Sequence, residues 1–127
     1  MGAFEAMKFL IVDDSKVMRQ IVKKTLREAG FGDVEIVEAS DGAEALTQFA
    51  AHAPTVVLSD WNMPVKSGID FLTELRASGN AVPFGFVTSE GSDAMRAKAT
   101  EAGALFLIVK PFKPEDFEKA LAPLRAA

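Results

Sequence analysis

The chain of 127 residues fits one domain, and with no cysteine it carries neither a disulfide framework nor thiolate chemistry. A net charge of −4 argues against nucleic-acid or anionic-membrane partners, which are recognised by clustered Lys and Arg. No apolar run approaches a membrane span, and residues 1–6 have neither the basic nor the apolar region of a signal peptide. Ala6 stands where myristoylation after Gly2 wants Ser or Thr. The expectation is a soluble, cytoplasmic domain over 7–127 behind a short N-terminal tail, 1–6.

Five apolar runs alternate with five segments of helical period. The first strand is Lys8–Val12. Ser15–Ala29 follows as a helix, with Val17, Met18, Ile21, Val22 and Leu26 as its core stripe and Gly30 as its stop. Val34–Ala39 reads as the second strand. Asp41-Gly42 turns into a helix, Ala43–Ala51, with Ala43, Leu46 and Ala50 inward, and Pro54 breaks it. Thr55–Ser59 is a short β-branched run, the third strand. Gly68–Ser78 is a helix with Ile69, Leu72 and Leu75 on one face, and Gly79-Asn80 turns the chain. Val82–Val87 is the fourth strand, weakened by Gly85 inside it. Ser92–Ala102 is an Ala-rich helix stopped by Gly103. Leu105–Val109 is the fifth strand. Pro114 opens the last helix, which runs to about Leu124. Strict alternation predicts an α/β fold, a parallel sheet covered on both faces.

Chemistry-bearing residues stand at the carboxyl ends of the strands, where open α/β sheets build their sites. Asp13-Asp14 follow the first strand and Asp60 the third. Thr88-Ser89 follow the fourth and Lys110 the fifth. Three converging carboxylates resist ionising together unless a cation relieves them. Mg²⁺ binds in this way, through one or two carboxylates plus water and phosphate oxygens. A phosphoryl acceptor needs a nucleophilic oxygen, a cation and donors for the remaining oxygens. Asp60 can be the nucleophile, Asp13 and Asp14 the metal ligands, and Thr88 and Lys110 the phosphate donors.

The ordered pieces Phe9-Leu10-Ile11-Val12-Asp13-Asp14-Ser15, Asp60-Trp61-Asn62-Met63-Pro64, Val87-Thr88-Ser89-Glu90 and Val109-Lys110-Pro111-Phe112 resemble the receiver domain of two-component response regulators. The likeness covers about residues 7–124 and is strongest to the stand-alone chemotaxis type. It implies a flavodoxin-like, doubly wound five-stranded sheet in the order 2-1-3-4-5 with five helices. It also implies that Asp60 accepts a phosphoryl group from a histidine kinase or phosphotransfer domain. One Mg²⁺ would be held by Asp14, Asp60 and the Asn62 backbone carbonyl, with Asp13 reaching it through water. Thr88 and Lys110 would contact the phosphoryl oxygens, the Lys110–Pro111 bond would be cis, and Asn62 and Glu90 would tune dephosphorylation. No enzymatic activity is implied beyond self-catalysed phosphorylation and dephosphorylation. The output surface would include Met95, Arg96, Lys98, Leu105 and Phe106. The output partner would be a protein such as a flagellar motor switch or a kinase, met by a monomer.

One position departs from the family. Leu107 stands where a Tyr or Phe is expected, three residues before the lysine. Phe106 should point to the opposite face and not replace it. Gly85 lies between Phe84 and Phe86, which suggests that the switch uses a different lever there. Plain readings stand beside the functional ones. Trp61 reads as an exposed aromatic or a reporter beside the nucleophile. His52, near a helix C-terminus, reads as a surface residue, not a phosphodonor. Lys16, Arg19, Lys23 and Lys24 read as a solvated face, part of which would dock the donor. A phosphatase of the haloacid dehalogenase type wants a second Asp where Asn62 stands. A flavodoxin wants a phosphate loop free of Asp13-Asp14. A degenerate receiver, binding partners without phosphorylation, remains an alternative because of Leu107.

Overall fold

The computed structural model describes residues 7–125, so the tail at 1–6 lies outside the described residues. Its elements run β1 (Lys8–Val12), α1 (Lys16–Glu28), β2 (Glu35–Ala39), α2 (Gly42–His52), β3 (Val56–Ser59), α3 (Gly68–Ala77), β4 (Phe84–Thr88), α4 (Asp93–Ala102), β5 (Phe106–Val109) and α5 (Pro114–Arg125). The strands form one parallel sheet in the order β2-β1-β3-β4-β5, as the resemblance implies. β1, β3 and β4 read as near-continuous apolar runs because both of their faces are covered.

Alternate strand residues feed two cores. Leu10, Val12, Val57, Phe84, Phe86 and Leu107 pack with Phe71, Leu72 and Leu75 of α3 and with Ala45 and Ala99 of α2 and α4. Phe9, Ile11, Val56, Leu58, Val87 and Ile108 pack with Val22 and Leu26 of α1 and with Phe117 and Leu121 of α5. Phe106 touches this second core, so it lies on the face opposite Leu107, as its neighbouring position requires.

Four helices begin on a side-chain cap. Ser15, Asp41, Ser67 and Ser92 accept hydrogen bonds from the N–H groups of Met18, Glu44, Asp70 and Met95. Each satisfies a donor that the first helical turn leaves without a partner. Each crossover begins where a strand ends, so these caps lie at the carboxyl edge of the sheet.

Several sequence expectations need correction. Val17 and Ile21 are not core: they are 70% and 42% exposed, and the inward face of α1 is Val22, Thr25 and Leu26. The apolar stripe of α1 is wider than the sheet can cover, and its i, i+4 flank is left in solvent. In α2, Ala50 is exposed, while Ala45 is buried and Phe49 packs on the first core. β4 starts at Phe84, not Val82, and runs through Thr88. Pro83 has no N–H to give the ladder, and the carbonyl and N–H of Val82 are taken by Arg76 and the Asn80 side chain. Trp61 is buried, 8% exposed, with its ring 4.6 Å from that of Phe86.

Candidate functional site

The buried strands carry their last polar residues into one edge cluster. Lys110 Nζ donates to Asp13 Oδ2 at 3.0 Å and to Asp60 Oδ2 at 3.1 Å. These side chains are 16%, 6% and 13% exposed, in that order, so water screens the triangle poorly. Asp14 is exposed beside it, and one carboxylate oxygen from each of Asp13, Asp14 and Asp60 lies within 4.8 Å of the others. Hard oxygen donors in this number and spacing fit a small divalent cation.

Two local bonds orient the carboxylates. The Trp61 N–H donates to Asp60 Oδ1 at 2.7 Å, and the Ser15 N–H donates to Asp13 Oδ1 at 2.9 Å. Burial pushes the Asp60 carboxyl above its ordinary pKa. The Lys110 charge and hydrogen bond and the Trp61 N–H work against the rise, and the Asp13 charge adds to it. For Lys110, burial favours the neutral amine, but its bond to Asp13 and the charges of both carboxylates hold its pKa above the usual lysine value. Both partners move upward, Asp60 chiefly through burial and Lys110 through the two carboxylates it faces. A single cation faces two buried anions and can neutralise only one of them.

The backbone around Asp60 is held from several sides. Ser59 Oγ donates to the Asp60 carbonyl at 2.7 Å, and the Gly68 N–H donates to the Trp61 carbonyl at 2.8 Å. A Cβ on Gly68 would stand 2.0 Å from the Asp60 carbonyl oxygen, so α3 begins this close only because the residue is glycine. Between them Val65 adopts φ +66, with the Lys66 N–H bonded to the Pro64 carbonyl at 2.7 Å, a tight and strained turn. On the other side, Arg19 Nη1 donates to the Asp13 carbonyl at 2.6 Å and its Nε to Glu38 at 2.7 Å. Arg19 and Lys23 therefore do not belong to a solvated face. They converge on Glu38, whose carboxyl burial would push up but whose bonds to Arg19 and Lys23 bring below the usual range.

Thr88 is fully buried at the end of β4, and its Oγ1 is a buried polar atom with no hydrogen-bond partner. The Lys110 N–H donates to the Thr88 carbonyl at 2.8 Å, which ties this strand end to the lysine. The Lys110–Pro111 bond is cis. Asn62 and Glu90 are exposed in the loops after β3 and β4. Of the residues assigned to an output surface, Lys98 and Leu105 are exposed, while Met95 and Phe106 are half-buried. Arg96 is bound to its own fold, donating to the Gly91 carbonyl and, at 3.2 Å, to the Leu107 carbonyl. The sequence assigns no role at the site to Ser59 or Gly68 and reads Arg19 as part of a solvated face. Their parts depend on contacts across elements, and only the Gly68 position, just after Ser67, gave a local signal, that of a helix start.

A parallel five-stranded sheet with an acidic triad, a lysine and a threonine at its carboxyl edge defines the receiver class. The family model for the response regulator receiver domain matches residues 9–122, and the chain belongs to that family. It is 42% identical over 118 residues to the chemotaxis protein CheY1 of Helicobacter pylori strain J99, covering 91% of this chain and 94% of that protein. It is 39% identical to the CheY homologue of Campylobacter jejuni, over 91% and 89% of the two chains. Among solved structures, the chemotaxis response regulator CheY4 of Vibrio cholerae superposes with a TM-score of 0.80 at 37% identity, covering 93% of this chain and 98% of that one. No helix among the described residues is long and apolar enough to cross a membrane.

Proposed function

We propose that this chain is a stand-alone, chemotaxis-type response regulator that takes a phosphoryl group onto Asp60 and signals by a change in partner affinity. The observation that carries the reading is the Lys110 ammonium bonded to both Asp13 and Asp60, with Asp14 in the same cluster. An Asp60 carboxylate oxygen attacks phosphorus, the bond from phosphorus to a histidine nitrogen of the donor breaks, and the electron pair stays on that nitrogen, which then takes a proton. The Trp61 N–H holds one Asp60 oxygen, which fixes the carboxylate for attack. Asp14, Asp60 and the Asn62 backbone carbonyl would hold Mg²⁺, and Asp13 would reach it through water. When bound, the ion supplies the positive charge that the carboxylates lack and that transferring phosphoryl oxygens need. Lys110 then exchanges part of its bond to Asp60 for a phosphoryl oxygen. Thr88 has a hydroxyl that nothing else satisfies, and it donates to another.

Asn62 and Glu90, beside the site, set the rate at which water removes the group. The donor is a histidine kinase or phosphotransfer domain, and the output is a protein partner in the cytoplasm met by a monomer. The family resemblance points to a flagellar motor switch or a kinase for that role. The test is intact-mass analysis after incubation with Mg²⁺ and acetyl phosphate. A gain of one phosphoryl group that needs Mg²⁺ and is absent in Asp60→Asn is expected. No gain from acetyl phosphate or from a histidine kinase would leave a binding module independent of phosphorylation.

A further inference from the structure

Asp13 and Asp14 are joined by one peptide group. That group is planar, so whatever fixes its plane constrains the direction in which both side chains leave the chain. Its carbonyl accepts a hydrogen bond from Arg19 Nη1 at 2.6 Å. The Asp13 N–H, one peptide earlier, donates to the Ala39 carbonyl of β2 at 3.1 Å. Arg19 is anchored on the same strand, since its Nε donates to Glu38 Oε1 at 2.7 Å. Glu38 is itself held twice: Lys23 Nζ donates to its other carboxylate oxygen at 3.1 Å, and Gln48 Nε2 of α2 donates to its carbonyl at 3.1 Å. The Arg19 side chain is only 14% exposed. None of the three clustered acids lies on β2, yet β2 grips the chain on both sides of Asp13.

We propose that Arg19 is a positioning residue for the cation site: it locks the Asp13–Asp14 peptide against β2 and so sets the spacing of the two acids. This role rests on the metal reading above. Arg19 acts through the main chain, by a planar fork that reaches the Asp13 carbonyl and Glu38 together. A lysine ammonium is a point charge on a flexible stem and does not reproduce that fork. Charge and position act with opposite signs here. Loss of a cation near the cluster, through charge alone, tightens the hold on Mg²⁺, because like charges repel. Loss of a positioning contact loosens it, because the ligands must be ordered again each time the ion binds. Mg²⁺ demands near-ideal octahedral geometry and is sensitive to such loosening. Outer partners of metal ligands typically carry about ten- to a hundredfold in affinity.

Two measurements on the full chain test this: calorimetric titration with Mg²⁺, and amide exchange at Ser15 with no metal present. The Ser15 N–H donates to Asp13 Oδ1 at 2.9 Å, so its exchange reports how firmly that carboxylate is held. Arg19→Lys keeps the charge and loses the fork, and Arg19→Gln loses both. Lys23→Met takes a second cation from the same Glu38 carboxylate. Both Arg19 variants should bind Mg²⁺ about tenfold more weakly and exchange Ser15 faster. Lys23→Met should bind it as tightly as the wild type, or more tightly, with Ser15 exchange unchanged. Arg19→Gln binding as tightly as the wild type reduces Arg19 to a nearby charge and overturns the proposal. Equal weakening in Arg19→Lys and Lys23→Met assigns the effect to general stability and overturns it too. No Mg²⁺ binding by the wild type overturns the metal reading and the affinity role with it. Faster Ser15 exchange confined to the Arg19 variants then still shows the hold on Asp13, and unchanged exchange overturns that hold as well.

Discussion

Replacing Lys110 by Met keeps the apolar stem of the side chain and removes the ammonium between Asp13 and Asp60. At an effective dielectric of about 20, a unit charge pair at 3.0 Å gains about 5.5 kcal/mol and one at 3.1 Å about 5.4 kcal/mol. Two carboxylate oxygens at 4.8 Å, the outer limit of the cluster, repel by about 3.5 kcal/mol on the same scale. The gain is offset by the several kcal/mol needed to desolvate the ammonium, so the expected loss on removal is about 3–5 kcal/mol, as for other broken buried pairs. The loss depends on pH. Asp60 already has a folded pKa above its unfolded value, so its ionisation costs folding energy that is absent below the unfolded pKa and grows as pH rises through the folded one. Without Lys110 that folded value climbs further, and the deficit of the variant shrinks as the solution is acidified. At high pH the wild type loses its own advantage as Lys110 deprotonates through its raised pKa. Urea unfolding followed by Trp61 fluorescence, with a chelator present and from neutral to mildly acidic pH, measures this. A deficit below about 1 kcal/mol at neutral pH, typical of an exposed pair, or one that does not change with pH, would refute the reasoning.

Thr88→Val should separate stability from function. Removing a buried hydroxyl that lacks a partner should raise stability by up to about 1–2 kcal/mol, while phosphoryl acceptance in the mass assay slows. Phe86→Ala, at a fully buried ring packed at a tilt against Trp61, should cost about 3–5 kcal/mol in urea unfolding and shift Trp61 emission to the red. Gly68→Ala forces its methyl against the Asp60 carbonyl, so the loop must move. The expected result is a fold retained by circular dichroism with Mg²⁺ affinity reduced at least tenfold, about 1.4 kcal/mol of binding energy.

The fold was legible because its signals are local. Apolar runs of strand length alternate with helical stripes, and capping residues and glycines mark most of the borders. The order of strands came from the resemblance, not from the pattern. The acidic triad, Thr88 and Lys110 stood out because every carboxyl end of a parallel sheet opens on one edge. What the sequence hid depends on partners far along the chain. Arg19 looks like any helix-surface cation until Glu38 and the Asp13 carbonyl are placed beside it. Val17 and Ile21 fit a core stripe by period, and only the width of the sheet leaves them in water. Gly85 looked like a defect in β4 because the ring that covers it, that of Phe106, belongs to another strand.

The capped starts of α1 to α4 share the carboxyl edge with Asp60. Aligned peptide dipoles leave about half a positive charge at each helix start. The edge that gathers the acids is thus underlain by a standing field of the opposite sign, supplied by the main chain. The effect falls off within a helical turn, so it acts on groups at the edge itself and eases the crowding of negative charge there. Because this contribution belongs to the backbone, charge reversal among surface lysines leaves it in place.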